Sequence, residues 1–286
     1  MTVLLLFILG AAFAVSALTY SFYWYEALNL DREAFDPRAH GGRLRLALAG
    51  FASSLASQAA LIVTYPFGFM RMVREPAVRG DKTGPPVVLV HGIYHNGAAW
   101  LLFRRRLARR GYRTLHSFCY SSFGPAFGEI AAALGRKIRT VSEENGGAKV
   151  VLIGHSMGGL LIRAALGEPQ TAARALAVVT LGTPFRGSKL AALGVGSLSA
   201  GLVPGSPLLR NLPPFPDPEK TPWLCLASPA DNMVLPPSGL TPDMAGPVCR
   251  QTPVVCHVGM IYHKPTFEMA LSFLDETVRG QGGAAS

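Results

Sequence analysis

Lys149–Gly159, KVVLIGHSMGG, decides how the rest of the chain is read. Val150, Val151, Leu152 and Ile153 form a short apolar run rich in β-branched residues, the pattern of a buried strand. Gly154-His155-Ser156-Met157-Gly158 follows with no loop between. Helical spacing then begins at once, with Leu160, Leu161, Ala164 and Ala165 on one stripe and Gly167 as a stop. Strand, sharp turn and helix with a serine at the apex is the context that a G-x-S-x-G turn requires. Small flanking residues let the backbone bend tightly, so that the hydroxyl projects clear of it. A helix starting at the serine also aims free N–H groups at the place where an oxyanion would form.

The same alternation extends outward. Pro86–Gly92 reads as a buried strand ending in His91-Gly92, and a helix from Asn96 carries Trp100, Phe103 and Leu107 on one face before Gly111. Tyr112–Tyr120 is the next strand, followed by a helix with Ile130, Leu134, Ile138 and Val141 in register. Ala175–Leu181 and Trp223–Ala227 are further strands, the latter delivering Ser228-Pro229-Ala230-Asp231. Pro253–Cys256 is expected as the last strand, running into His257, with a final helix from about Thr266. The pattern predicts an α/β fold whose mostly parallel sheet is covered by helices on both faces. Residues 185–218, rich in Gly, Ser, Leu and Pro, break the rhythm and read either as a mobile cover over the site or as a surface excursion.

The N-terminal part is different in kind. Residues 2–25 carry no charge and would make roughly 36 Å of helix, enough to cross a bilayer core. Tyr20, Tyr23, Trp24 and Tyr25 are placed as an interfacial belt. A signal peptide competes, since Val15-Ser16-Ala17 resembles a cleavage site, but no basic segment precedes the apolar one and the stretch is long. Residues 46–70 read as a second span, or alternatively as an amphipathic helix. Gly50, Ser53 and Ser57 supply the small-residue spacing through which two membrane helices approach. Residues 1–78 are therefore expected to be a membrane region and 79–286 the globular domain, with Arg79–Pro86 as linker. Arginines and lysines flank the second span at both ends, so the positive-inside rule selects no side.

Composition agrees with this division. Of 286 residues 49% are hydrophobic, mean hydropathy is +0.29, and 27 basic against 17 acidic residues give a net charge of +10. Such a charge suits an anionic membrane surface. Arg104, Arg105, Arg106, Arg109 and Arg110 read as a solvated helix face touching lipid, since no aromatic-rich module accompanies them to make a nucleic-acid site. Four cysteines are too few for a disulfide scaffold and lack zinc spacing. Cys249 and Cys256 are close enough in sequence to pair in an oxidising compartment, while Cys119 and Cys225 read as buried thiols.

A serine hydroxyl becomes a nucleophile when a base takes its proton, and the base needs a partner that fixes its tautomer. Asp231 and His257 follow Ser156, each at the end of an apolar segment, whereas Asp217, Glu219 and Asp243 lie in loops and His263 sits six residues beyond His257. The expected triad is Ser156, His257 and Asp231. Two N–H donors for the oxyanion are expected from Met157, after the serine, and from Ile93, after His91-Gly92. His91 and His155 read as supports for these turns. No cofactor or metal is called for.

VVLVHGIYHNGAAW, VVLIGHSMGGLLIRAAL, VVTLGTPFRGSKLA, ASPADNMVLPP and CHVGMIYH together resemble bacterial esterases and lipases of the α/β-hydrolase superfamily, over about Pro86–Val278. The resemblance implies that fold, the serine, acid and histidine at Ser156, Asp231 and His257, and an oxyanion donor at Ile93. It implies a carboxylic ester hydrolase working through an acyl-enzyme. Two membrane spans are not part of the typical secreted enzyme; with them, a lipid or acyl ester substrate and a bacterial inner-membrane location are expected. Alternatives are a thioesterase, lysophospholipase or acyltransferase on the same scaffold, or a catalytically idle membrane adaptor.

Overall fold

The computed structural model describes residues 2–29, 41–69, 84–112 and 114–282. Six strands form one parallel sheet in the order β2-β1-β3-β4-β5-β6. They are β1 (Val87–Val90), β2 (Leu115–Phe118), β3 (Val150–His155), β4 (Ala175–Leu181), β5 (Trp223–Ala227) and β6 (Val248–Gln251). The longer helices are α1 (Thr2–Asn29), α2 (Arg43–Thr64), α3 (Leu101–Arg109), α4 (Phe127–Glu144), α5 (Met157–Ala165) and α9 (Lys264–Gly282). Short helices α6 (Pro169–Ala172), α7 (Ser197–Gly201) and α8 (Pro207–Arg210) complete the set.

Side chains alternate across a strand. Val87, Leu89, Val151, Ile153 and Val179 thus meet Trp100, Phe103 and Leu107 on one face of the sheet, together with Phe267, Leu271 and Leu274 of α9. Val88, Val90, Val150, Leu152 and Val178 meet Ile130, Leu134 and Ile138 of α4 and Leu160 and Leu161 of α5 on the other. Each fully buried Leu or Ile contributes about 1.5–3 kcal/mol, so this double-faced core holds the sheet rigid under the loops at its C-terminal edge.

Three sequence expectations change. Pro253–Cys256 is not a strand; the last strand is the exposed β6, Val248–Gln251. The Ser228 hydroxyl takes the place of a ladder for the expected segment, donating to the Val255 carbonyl and accepting from its N–H. On α3, Arg104 is buried and donates to the Leu115 carbonyl, Arg106 donates to the Tyr262 carbonyl and Arg110 pairs with Glu268. Arg104 and Arg106 thus brace the interior, while Arg105, Arg109 and Arg110 stay on the exposed face as expected. All four cysteines are free: Cys249 lies opposite Cys225 on the neighbouring strand, and Cys256 is buried against Ser57.

Both N-terminal helices are long and apolar enough to cross a membrane, by length and composition. They form an antiparallel pair in which the Ser16 and Ser54 hydroxyls bond at 2.8 Å and Tyr20 passes over Gly50. The small-residue face is therefore divided. Gly50 serves the helix pair, but Ser53 and Ser57 turn to the globular part, where Ser53 accepts from the Cys256 N–H at 2.8 Å and Ser57 meets the Cys256 thiol. Tyr20 and Tyr23 are buried rather than interfacial, their hydroxyls donating to the carbonyls of Ala230 and Pro229. Val3, Leu6, Phe13, Leu18, Phe22 and Tyr25 remain exposed along α1. The expected linker Arg79–Pro86 lies mostly outside the described residues, as do Arg32, Arg38, Arg71 and Arg74.

Candidate active site

Ser156 joins β3 to α5 with φ 54° and ψ −126°, a backbone conformation costly for a non-glycine residue and held here by its surroundings. Its N–H donates to the Leu181 carbonyl at 2.9 Å, and its own carbonyl accepts from Thr183 Oγ1 at 3.0 Å. Glycine is obligatory beside it, because a Cβ at Gly158 would lie 2.3 Å from the Val90 carbonyl oxygen.

Asp231 and His257 are brought together although 26 residues separate them: His257 Nδ1 and Asp231 Oδ2 are 2.7 Å apart, and both residues are buried. The other carboxylate oxygen accepts the N–H groups of Met233 and Val234 at 3.0 and 2.9 Å, which fixes the carboxylate plane. Gly182, with φ 59°, passes so near that a Cβ there would lie 3.0 Å from both Asp231 Oδ2 and His257 Nδ1. Ser156 and His257 line one cavity of about 390 Å³, together with Gly92, Ile93 and His155. Among the described residues the N–H groups of Ile93 and Met157 have no hydrogen-bond partner. His263 is elsewhere, bonded to Thr266 in the first turn of α9. Asp217 accepts the N–H of Glu219 within its exposed turn.

The flanking histidines are structural. His91 Nδ1 meets the Gly92 carbonyl at 2.9 Å, Nε2 accepts from the Tyr120 N–H, and the ring stacks on Tyr120 at 4.2 Å, pinning the loop that carries Ile93. His155 Nε2 donates to the His257 carbonyl at 3.1 Å, tying the serine strand to the histidine loop. Burial holds all of these rings neutral: it lowers His91 to about 4 and His95 to about 3, and puts His155 well below the usual histidine range.

Several residues of the site had not been singled out from the sequence. Asn232, next to the acid, accepts the His257 N–H through Oδ1 and donates through Nδ2 to Thr19 of α1 at 2.6 Å and Ser54 of α2 at 3.5 Å. Gln58 of α2 lines the cavity. Asn96, which caps the turn before α3, donates to the Tyr65 carbonyl beyond α2. Nothing local marks the remote contacts of Asn232 and Asn96, because the partners come from distant parts of the chain.

A strained serine at a strand-to-helix turn, sharing a cavity with an imidazole bonded to a buried carboxylate at the C-terminal edge of a parallel sheet, defines a class of hydrolase architecture. The sequence agrees: residues 87–271 match the alpha/beta hydrolase family, and the chain belongs to that family. Among solved structures it is similar to the mature lipase BlEst2 of Bacillus licheniformis, at 22% identity over 70% of this chain and 96% of that one, with a TM-score of 0.55. It is also similar to lipase B of Aspergillus fumigatus, at 18% identity over 71% of this chain and 55% of that one, with a TM-score of 0.58. At these identities the likeness is one of fold. No curated protein matches the chain.

Proposed function

We propose that the protein is a membrane-anchored serine hydrolase that cleaves carboxylic esters of lipid or acyl type. The observation that carries this reading is the Asp231–His257 pair at 2.7 Å, with His257 and Ser156 on one apolar-lined cavity. In the proposed reaction Ser156 Oγ attacks the ester carbonyl while His257 Nε2 takes its proton, and Asp231 stabilises the imidazolium through Nδ1–H. The tetrahedral oxyanion is held by the N–H groups of Ile93 and Met157. Collapse returns the proton to the departing alcohol and leaves an acyl-serine. Water, deprotonated by the same imidazole, then attacks the acyl-serine; the second tetrahedral intermediate collapses with release of the acid, and Ser156 Oγ takes the proton back from the imidazolium.

The apolar outer side of α1 supports anchoring, since an exposed row from Val3 to Tyr25 has no place in water. The Ser16–Ser54 bond and the place of Val15 on the cavity, both on the side of Val15-Ser16-Ala17 that cleavage would remove, support retention of α1 over its removal as a leader. The test is labelling of the full-length protein by a fluorophosphonate probe, expected in the parent and absent in Ser156→Ala. A parent protein that never labels and hydrolyses no ester would overturn the reading.

A further inference from the structure

The cavity over Ser156 is not enclosed by the globular part alone. Leu61 and Gln58 of α2 and Val15 of α1 line it together with Leu202 and Val234. The placement is fixed by bonds from both helices to the acid and histidine loops and by the Tyr65–Asn96 bond on the oxyanion side. Gln58 is 8% exposed, and its amide makes no hydrogen bond to any described residue, whereas Ser53, Ser54 and Ser57 on the same helix are all bonded. Its amide is therefore free to bond a polar group entering the cavity.

We propose that α1 and α2 are a wall of the substrate cavity as well as an anchor: Leu61 and Val15 bound the acyl chain, and Gln58 receives a polar group of the ester substrate. The proposal rests on the serine-hydrolase reading and deepens it, by assigning acyl-chain selection to the helices rather than to the globular fold. A chain lying along Leu61 buries apolar surface there, so selection by length follows from the space that this side chain leaves.

The test uses the full-length protein in detergent micelles with p-nitrophenyl esters from acetate to palmitate. Leu61→Trp is expected to lower kcat/KM about 10-fold or more for acyl chains of eight carbons and longer, with acetate changed about twofold at most. Leu61→Ala is expected to move the preference the other way, and it decides the matter if the tryptophan variant does not fold. Gln58→Leu is expected to lower kcat/KM for a monoacylglycerol more than for the p-nitrophenyl ester of the same chain. An unchanged ratio of long-chain to short-chain turnover in both Leu61 variants would overturn the proposal. That outcome differs from failure of the hydrolase reading, in which the parent itself neither labels nor turns over any ester.

Discussion

The serine turn and the acid–histidine pair are built in opposite ways. Ser156 is held by its own neighbourhood: β3 and α5 adjoin it in sequence, Gly158 gives the clearance, and the Leu181 carbonyl on the adjacent strand receives its N–H. Asp231 and His257 stand on irregular loops that follow β5 and β6, and much of what secures them comes from α1 and α2. Tyr20 and Tyr23 bind the carbonyls just before the acid, Ser53 binds the N–H just before the histidine, and Asn232 joins both helices to the His257 backbone. The serine turn is thus a local feature of the hydrolase fold, whereas the Asp231–His257 pair depends on segments that lie outside the region matching the family.

Substitutions can sharpen this contrast. The largest effect is expected for Ser156→Ala, with ester turnover falling by about 10⁴-fold or more and thermal stability little changed. Comparable melting of parent and variant alongside lost turnover would show that the serine turn is held by its backbone. Asn232→Leu is expected next. It removes the donor to the Thr19 hydroxyl and leaves the His257 N–H without its acceptor, so stability should fall by about 1–3 kcal/mol and kcat by about 10-fold, while slow fluorophosphonate labelling persists. An Asn232→Leu protein with parental kcat would break the distinction between the two regions.

Acid should act on the buried histidines. His91 and His95 have folded-state pKa values of about 4 and about 3, below the ordinary value of about 6.5, so the unfolded chain binds more protons below that pH. Their contribution to stability is complete above about pH 6.5 and is lost as pH falls toward their folded-state values. By pH 5 each costs about 2 kcal/mol. Melting curves between pH 7.5 and 5 should show the decline, and His95→Asn should flatten it. The smallest effect is expected for Tyr23→Phe, which removes one hydrogen bond to the Pro229 carbonyl at a cost of about 1 kcal/mol with a reduction of kcat of a few fold. No change in kcat would mean that the hydroxyl only seats the helix.

The local half of the site was legible in the sequence because its determinants are contiguous. KVVLIGHSMGG contains the strand, the turn and the helix start, and the period of the flanking apolar runs identified the sheet and its covering helices. The remote half was legible only as residue types. Pro253–Cys256 looked like a strand because Val255 and Cys256 are apolar and buried, yet their burial is against α9 and the helical pair, with Ser228 replacing the ladder. The true β6 escaped notice because VCRQ is exposed along its whole length and shows no apolar alternation. Tyr20 and Tyr23 invited an interfacial reading, since a tyrosine at a helix end has the same composition whether its hydroxyl meets water or a loop carbonyl 210 residues away.

That separation has a consequence for assembly. Chains emerge from synthesis N-terminus first, so α1 exists long before the loop it must grip, and closing so wide a gap is slow relative to local folding. The serine turn can form early, but the Asp231–His257 pair cannot be secured until nearly the whole polypeptide has been made. The two halves of the candidate site would then meet only at completion of the chain.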